Sequence, residues 1–515
     1  MTRAVPFSLS VLAAVGLLSA CASDDAPTQP NVDELPSTGG VTGTAGGGAP
    51  AIGMSGGSGG LSEAGGSNGA GGNPSSSGGG GAAPGACTFT CVEQCGAEQG
   101  SVQPGTCDGN LVCCQVADPG GGMPVYDYGA QLEDTGVGCE VPVLPEPATI
   151  TKNPKLPNPF IRVDGTTISK KSDWHCRRKE IRAQAEKYVY GERPAAPELV
   201  SGTVSDSEIT VHVEDQGKSI DFTAKITLPT SGEAPYPAII NLGSGVTLGR
   251  DLILNEGVAI ITYNQYDLGS EYQDAMAGIR DLPKKGKFYD IYGGDHTAGL
   301  LMAWSWGASR LIDVLQKTEG SVIAWDRLGV TGCSRLGKGA FAIGLFDERV
   351  ALTIPHETST GGVPAYRIAD AIPTEDTRGN FNGQLWFSDN FEPFVLNTTQ
   401  LPLDTHAFIG MIAPRGLMIL ENPWVAQMGA QAGHMAALAG SKVYEALGVL
   451  DHLSYNSDIP NATHCQYSSA FTPLLVQNIQ RFLKHDHEEP GRIESGKELA
   501  PADWIDWEAP ALSDD

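Results

Sequence analysis

Apolar runs of β composition alternate with helical stretches from about residue 125 almost to the C-terminus, which predicts an α/β protein. Several of those runs are apolar throughout rather than on alternate positions. They therefore read as strands of a mainly parallel sheet covered by helices on both faces. A third observation is Ser334, with Gly332 before it and Gly337 after it, between the apolar approach Arg327–Val330 and the helical run Ala340–Phe346. Strand, glycine-flanked serine and helix form the pattern of a nucleophile elbow, where the two backbones nearly touch and leave no room for bulk.

At 515 residues and 41% hydrophobic content the chain can bury a sizeable core. A formal charge of −27 argues against nucleic acid as a partner, because phosphates demand a basic surface. Eleven cysteines are many for a reducing cytosol and point to an oxidising compartment. The N-terminus agrees: Arg3 precedes an apolar run, Leu9 to Leu18, that ends Leu18-Ser19-Ala20-Cys21. Residues 1–21 read as a signal peptide whose apolar region is too short for a stable membrane span. Leu-Ser-Ala-Cys resembles a bacterial lipobox, in which Cys21 becomes the lipidated first residue; ordinary cleavage near Ala20 or Ala22 is the alternative. The expectation is an exported monomer, either an outer-membrane or cell-surface bacterial lipoprotein or a secreted protein.

Residues 22–86 are dominated by Gly, Ser, Ala and Pro and cannot bury a core, so they read as a tether with a reach of roughly 45 Å. Cys87, Cys91, Cys95, Cys107, Cys113 and Cys114 then crowd into 87–118, which suggests a small cystine-rich unit. Zinc is disfavoured there because the set contains no histidine, and the connectivity and role stay open. The main domain spans 125–515. Within it Ile209–Val213 and Ile220–Leu228 predict a hairpin, and Pro237–Leu242 and Val258–Tyr263 predict buried strands. A long helix follows over Thr297–Gln316, then the Ser334 strand and helix, and strands at Val350–Ile354 and Gly416–Leu420. A helix over Gly433–Leu447, a strand at Leu453–Asn456 and a final helix over Phe471–Lys484 complete the pattern. An elbow serine in the middle of such a chain points to the α/β-hydrolase architecture.

An elbow serine needs a base and an acid, and in this architecture the chain order is serine, acid, histidine. His406 and His434 lie in or beside helical stretches and read as structural, whereas His464 lies between the last predicted strand and the last helix, where the base belongs. Cys333 directly precedes Ser334 and Cys465 directly follows His464. If serine and histidine are within reach of each other, those cysteines are close enough to consider a bridge. The count then closes at 11 with Cys21 lipidated, six cysteines in the small unit, Cys139 with Cys176 and Cys333 with Cys465. Two carboxylates compete for the acid: Glu421 after the Gly416–Leu420 strand, which position alone favours, and Glu357 after the preceding strand.

The segment Gly332-Cys333-Ser334-Arg335-Leu336-Gly337-Lys338-Gly339-Ala340 closely resembles the signature of glucuronoyl esterases, carbohydrate esterase family fifteen. The resemblance runs from about Cys139 to Lys484 and takes in Leu156–Phe160, Gly286–Tyr289, Met302–Gly307, Trp386–Ser388 and Ala413–Arg415. It accounts for the glycine one place later than in G-x-S-x-G, and it implies a disulfide between the residues beside serine and histidine, here Cys333 and Cys465. It favours Glu357 as the acid, with Glu421 the alternative, and implies that the Arg335 side chain faces the oxyanion. It also implies that Lys338, Trp424 and, on a looser alignment, Glu375 and Gln384 contact the sugar. Trp304, Trp306 and Trp386 are expected in the core.

What the resemblance implies is hydrolysis of esters between lignin alcohols and (4-O-methyl-)glucuronic acid on glucuronoxylan; no cofactor or metal is expected, because the histidines are scattered and no H-E-x-x-H occurs. An acetyl-xylan or feruloyl esterase is the rival enzyme, disfavoured because an acetyl group gives Lys338 nothing to recognise. A surface-anchored binding protein with an inactive hydrolase domain is the rival outside enzymes, disfavoured because serine, histidine and two candidate acids are all present.

Overall fold

The computed structural model describes the backbone of Thr90–Val92 and Val112–Cys114, and then residues 138–273, 278–372 and 376–514. The signal peptide with Cys21, the 22–86 tether, most of the 87–118 unit and Glu375 lie outside the described residues. The two short strands pair antiparallel with Cys91 opposite Cys113.

A ten-stranded sheet organises the rest. Its strands are β1 (Leu199–Val204), β2 (Glu208–Asp215), β3 (Lys218–Thr227), β4 (Tyr236–Leu242), β5 (Ala259–Tyr263), β6 (Ile323–Cys333), β7 (Val350–His356), β8 (Gly416–Leu420), β9 (Leu453–Asn456) and β10 (Arg492–Glu494). Across the sheet the order is β10-β9-β8-β7-β6-β4-β5-β3-β2-β1. From β10 to β5 every pairing is parallel, and β3, β2 and β1 continue it antiparallel. The expected mainly parallel α/β sheet is therefore present, with a mixed edge.

The sequence explains the division. In β2 the apolar Ile209, Val211 and Val213 are buried while the residues between them are not, the period of a strand with one covered face. β4 and β5 are buried almost throughout, as a parallel strand with helices on both sides must be. Alternate residues serve two cores: Ile240, Val330, Leu417 and Ile419 face one, and Ile239, Leu352, Met418 and Leu420 the other. The helices α2 (Leu300–Lys317), α3 (Arg335–Phe346) and α5 (Ala430–Leu447) pack on the first, and α6 (Thr472–Leu483) on the second. Among the described residues no helix is long and apolar enough to cross a membrane.

Among the elements outside the sequence expectation are α1 (Asp173–Ala185), β1, α4 (Thr405–Ile412) and β10, besides several helices of six or seven residues. In α1 the buried face carries charge, so apolar periodicity is faint; Arg177 pairs with Glu180 at 3.0 Å and Arg178 with Glu348 at 2.9 Å. β10 is three residues long and mostly polar. His464 therefore follows β9 rather than the last strand of the sheet.

Candidate active site

β6 ends at Cys333, α3 starts at Arg335, and Ser334 between them has φ 60° and ψ −129°. A non-glycine residue with that φ is strained and persists only where its surroundings fix it. Here the Ser334 N–H donates to the His356 carbonyl of β7 at 2.9 Å. A Cβ at Gly332 would lie 2.4 Å from the Leu336 carbonyl oxygen, and one at Gly337 would lie 2.6 Å from that of His356. Gly337 is thus required where α3 crosses β7, which gives the displaced glycine its physical reason.

β7 delivers Glu357, fully buried and itself at φ 45°. Its Oε2 accepts from His464 Nδ1 at 2.6 Å and from the Cys465 backbone N–H at 2.9 Å. Its Oε1 accepts from Asn422 Nδ2 at 3.3 Å and lies 3.3 Å from His356 Nε2. Burial alone would raise this carboxyl, but His356, His464 and the Cys465 N–H outweigh it and hold it down at about 2. With Nδ1 donating to Glu357, the His464 Nε2 is the atom left to act as base.

Glu421 is also buried, and its Oε1 accepts from Thr358 Oγ1 at 3.4 Å. Cys333 and Cys465 are disulfide-bonded with Cα atoms 5.8 Å apart, and Cys139 is bonded to Cys176. Ligand atoms of Cys333, Glu357, His464 and Cys465 lie within 4.8 Å of one another, but the two sulfurs are bonded together and offer no thiolate to a metal.

Arg335 reaches towards solvent with its side chain 49% exposed. Its Nε donates to Tyr266 Oη at 3.1 Å and lies 3.1 Å from Glu271 Oε2. Lys338 is buried one helical turn beyond Ser334, and its Nζ donates to Ser359 Oγ at 2.8 Å and Asn380 Oδ1 at 3.0 Å. Lys338 Nζ also lies 4.8 Å from the centre of the Trp386 ring. Trp424 is 57% exposed while its Nε1 donates to the Ile459 carbonyl, so the indole is held with most of its surface open. Gln384 spends its amide on the backbone of Tyr272, accepting from N–H at 3.1 Å and donating to C=O at 2.7 Å.

Trp304 and Trp306 are fully buried, as expected of core residues. Trp386 is not: it is half-buried, and its Nε1 donates to Glu271 Oε1 at 2.6 Å beside Lys338. Its composition signal was that of any tryptophan, and only the fold brings it to the lysine. Sequence reasoning also missed Glu271 and Asn422 in loops, Tyr266 in a 3-10 turn and Asn380 in a seven-residue helix, none of which carries a recognisable motif.

Residues 211–448 match the family described as glucuronyl esterase, fungi. The chain is 35% identical over 381 residues to the 4-O-methyl-glucuronoyl methylesterase of Hypocrea jecorina, covering 73% of this chain and 80% of that one. The corresponding Podospora anserina protein is 39% identical over 336 residues, 64% of this chain and 68% of its own. A glucuronoyl esterase from Sporotrichum thermophile, solved as a serine-to-alanine mutant in complex with methyl 4-O-methyl-β-D-glucopyranuronate, is similar with a TM-score of 0.67 at 36% identity. That match covers 73% of this chain and 100% of the other.

Proposed function

The chain belongs to the glucuronoyl esterases, and we propose that it cleaves esters between lignin alcohols and the 6-carboxyl of (4-O-methyl-)glucuronic acid on glucuronoxylan, through an acyl-enzyme on Ser334. The observation that carries this reading is the 2.6 Å contact of His464 Nδ1 with buried Glu357, on a loop bonded through Cys465 to the residue before Ser334.

In this mechanism Ser334 Oγ bonds to the C6 carbonyl carbon while His464 Nε2 takes its proton, and Glu357 stabilises the imidazolium that forms. The C6–O bond to the alcohol then breaks, and His464 returns the proton to that leaving oxygen. Water repeats the sequence on the acyl-enzyme and releases the free acid. Arg335 faces the oxyanion, where losing one such donor costs about 3–4 kcal/mol. Lys338, held by Ser359 and Asn380, presents its ammonium to sugar hydroxyls. Trp424 offers an exposed face for a sugar ring. Gln384 would contact the sugar from a position fixed by Tyr272.

The same proposal places the enzyme outside the cytoplasm as a monomer; export is supported by the two disulfides among the described residues and by the leader-like N-terminus, with Cys21 lipidated and 22–86 as tether. Palmitate incorporation that persists in Cys21→Ala would remove the anchor from the proposal. For the activity, benzyl glucuronate and acetylated xylan are compared as substrates for the wild type and for Ser334→Ala. The expected result is preference for the glucuronate and no turnover in the variant. Faster deacetylation, or turnover without Ser334, would overturn the assignment.

A further inference from the structure

Hydrolysis changes the charge of what this site holds. The ester is neutral at C6, whereas the product is a carboxylate formed beside Arg335 and Lys338, and two cations facing a new anion would retain it. The arrangement behind those cations bears on that problem. Glu271 is only 14% exposed, yet one of its oxygens lies 3.1 Å from Arg335 Nε and the other accepts from Trp386 Nε1 at 2.6 Å. Trp386 in turn packs against Lys338. The carboxylate is therefore pinned by the indole N–H and cannot turn away to solvent.

Burial leaves the Glu271 carboxyl above its ordinary value, and Arg335, the Trp386 N–H and Lys338 offset that rise only in part. An ionised Glu271 leaves a net charge of +1 where Arg335 and Lys338 alone would give +2.

We propose that Glu271 sets how weakly the site holds its anionic product, by offsetting part of the charge of Arg335 and Lys338 from behind. The inference rests on the glucuronoyl-ester reading and goes beyond it. Glu271 touches Arg335 rather than the reacting atoms, so it is a positioning and discriminating residue. Its signature is selective: removing its charge should tighten binding of the acid and leave the neutral ester little changed, because attraction between charges acts only on the former.

The test measures inhibition of benzyl glucuronate hydrolysis by free glucuronic acid, with methyl glucoside as the uncharged control, in the wild type, Glu271→Gln and Glu271→Asp. Glutamine keeps an acceptor for Trp386, and aspartate keeps the charge. In Glu271→Gln the acid should inhibit about tenfold more strongly, an effect that weakens in high salt, while the control and the ester KM change less than about twofold. Glu271→Asp should stay near the wild type. Equal tightening for acid and control, or unchanged inhibition by the acid, would overturn the proposal. Should the glutamine variant fail to fold, the wild type still decides: acid inhibition far tighter than ester binding and steeply salt-dependent would show two uncompensated cations. Wild-type enzyme that turns over no glucuronate ester would instead remove the substrate reading beneath it.

Discussion

Replacing Glu357 by glutamine removes a charge and almost no volume, so its effect on turnover measures what that charge does for His464. Glu357 is fully buried, and its carboxyl is held at about 2 against an ordinary 4.5. At about 1.4 kcal/mol per pH unit, the surroundings favour the ionised form by about 3 kcal/mol. The carboxylate kept ionised in this way, 2.6 Å from Nδ1, is what meets the positive charge that develops on His464 as it takes the serine proton, and we take its worth there to be of similar size. Losing an interaction of about that size lowers kcat by roughly 10²–10³-fold. KM should move little, since Glu357 lies behind the histidine at 2.6 Å from Nδ1. Initial rates of benzyl glucuronate hydrolysis are the assay, with Glu421→Gln beside it, expected to lose less than about fivefold. A large loss confined to Glu421→Gln would refute the assignment of the acid. The sign of the stability effect is also fixed: a carboxyl lowered on folding stabilises above about pH 4.5, and that contribution is lost as pH falls to about 2. The gap in Tm between wild type and Glu357→Gln should shrink through that window.

Gly337→Ala would place a Cβ 2.6 Å from the His356 carbonyl oxygen and 3.0 Å from that of Gly332, so chemical denaturation should show a loss of about 1–3 kcal/mol with reduced turnover. A fully stable, fully active variant would remove the close-approach argument. Lys338→Met keeps the bulk but not the ammonium; KM for the glucuronate ester should rise about tenfold, while hydrolysis of p-nitrophenyl acetate stays within a fewfold. Parallel losses on both substrates would mean that Lys338 does not read the sugar. Burial lowers His406 from 6.5 to about 4, so the unfolded chain binds its proton first, and stability should fall by about 3 kcal/mol as pH drops from 6.5 to about 4. In His406→Gln, which keeps a donor for the Pro157 carbonyl, that part of the slope in thermal melts should flatten.

The buried parallel strands were legible because Ile239, Ile240, Ile260 and Ile261 form unbroken apolar pairs that only a sheet covered on both faces requires. The strand–turn–helix at Ser334 was legible because the elbow excludes bulk at fixed offsets, and His464 stood out as the candidate base because chain order points to its loop. The acid was not settled by position. Leu420 pairs with His356, so Glu357 and Glu421 leave adjacent parallel strands at the same level of the sheet. What separates them is the path of the 457–468 loop, which brings the Cys465 N–H and His464 Nδ1 to one oxygen of Glu357. The helix α1 was hidden because ion pairs rather than apolar side chains fill its buried face. Glu271 was hidden for a related reason: what marks it is its contacts with Trp386, 115 residues away, and with Arg335 at the start of α3.

The bond between Cys333 and Cys465 spans 132 residues and joins the end of β6, beside Ser334, to the loop that carries His464, yet neither apolar core includes it. Folding and competence are therefore separable events. A copy held in a reducing cytosol should complete its sheet and still leave His464, the proposed base, on an untethered loop, with low activity. Passage into an oxidising space would switch it on without any further change of architecture, so the timing of activity is written into covalent chemistry. For anyone producing the protein in a reducing host, soluble yield and specific activity should part company, and a mild thiol oxidant should bring them back together.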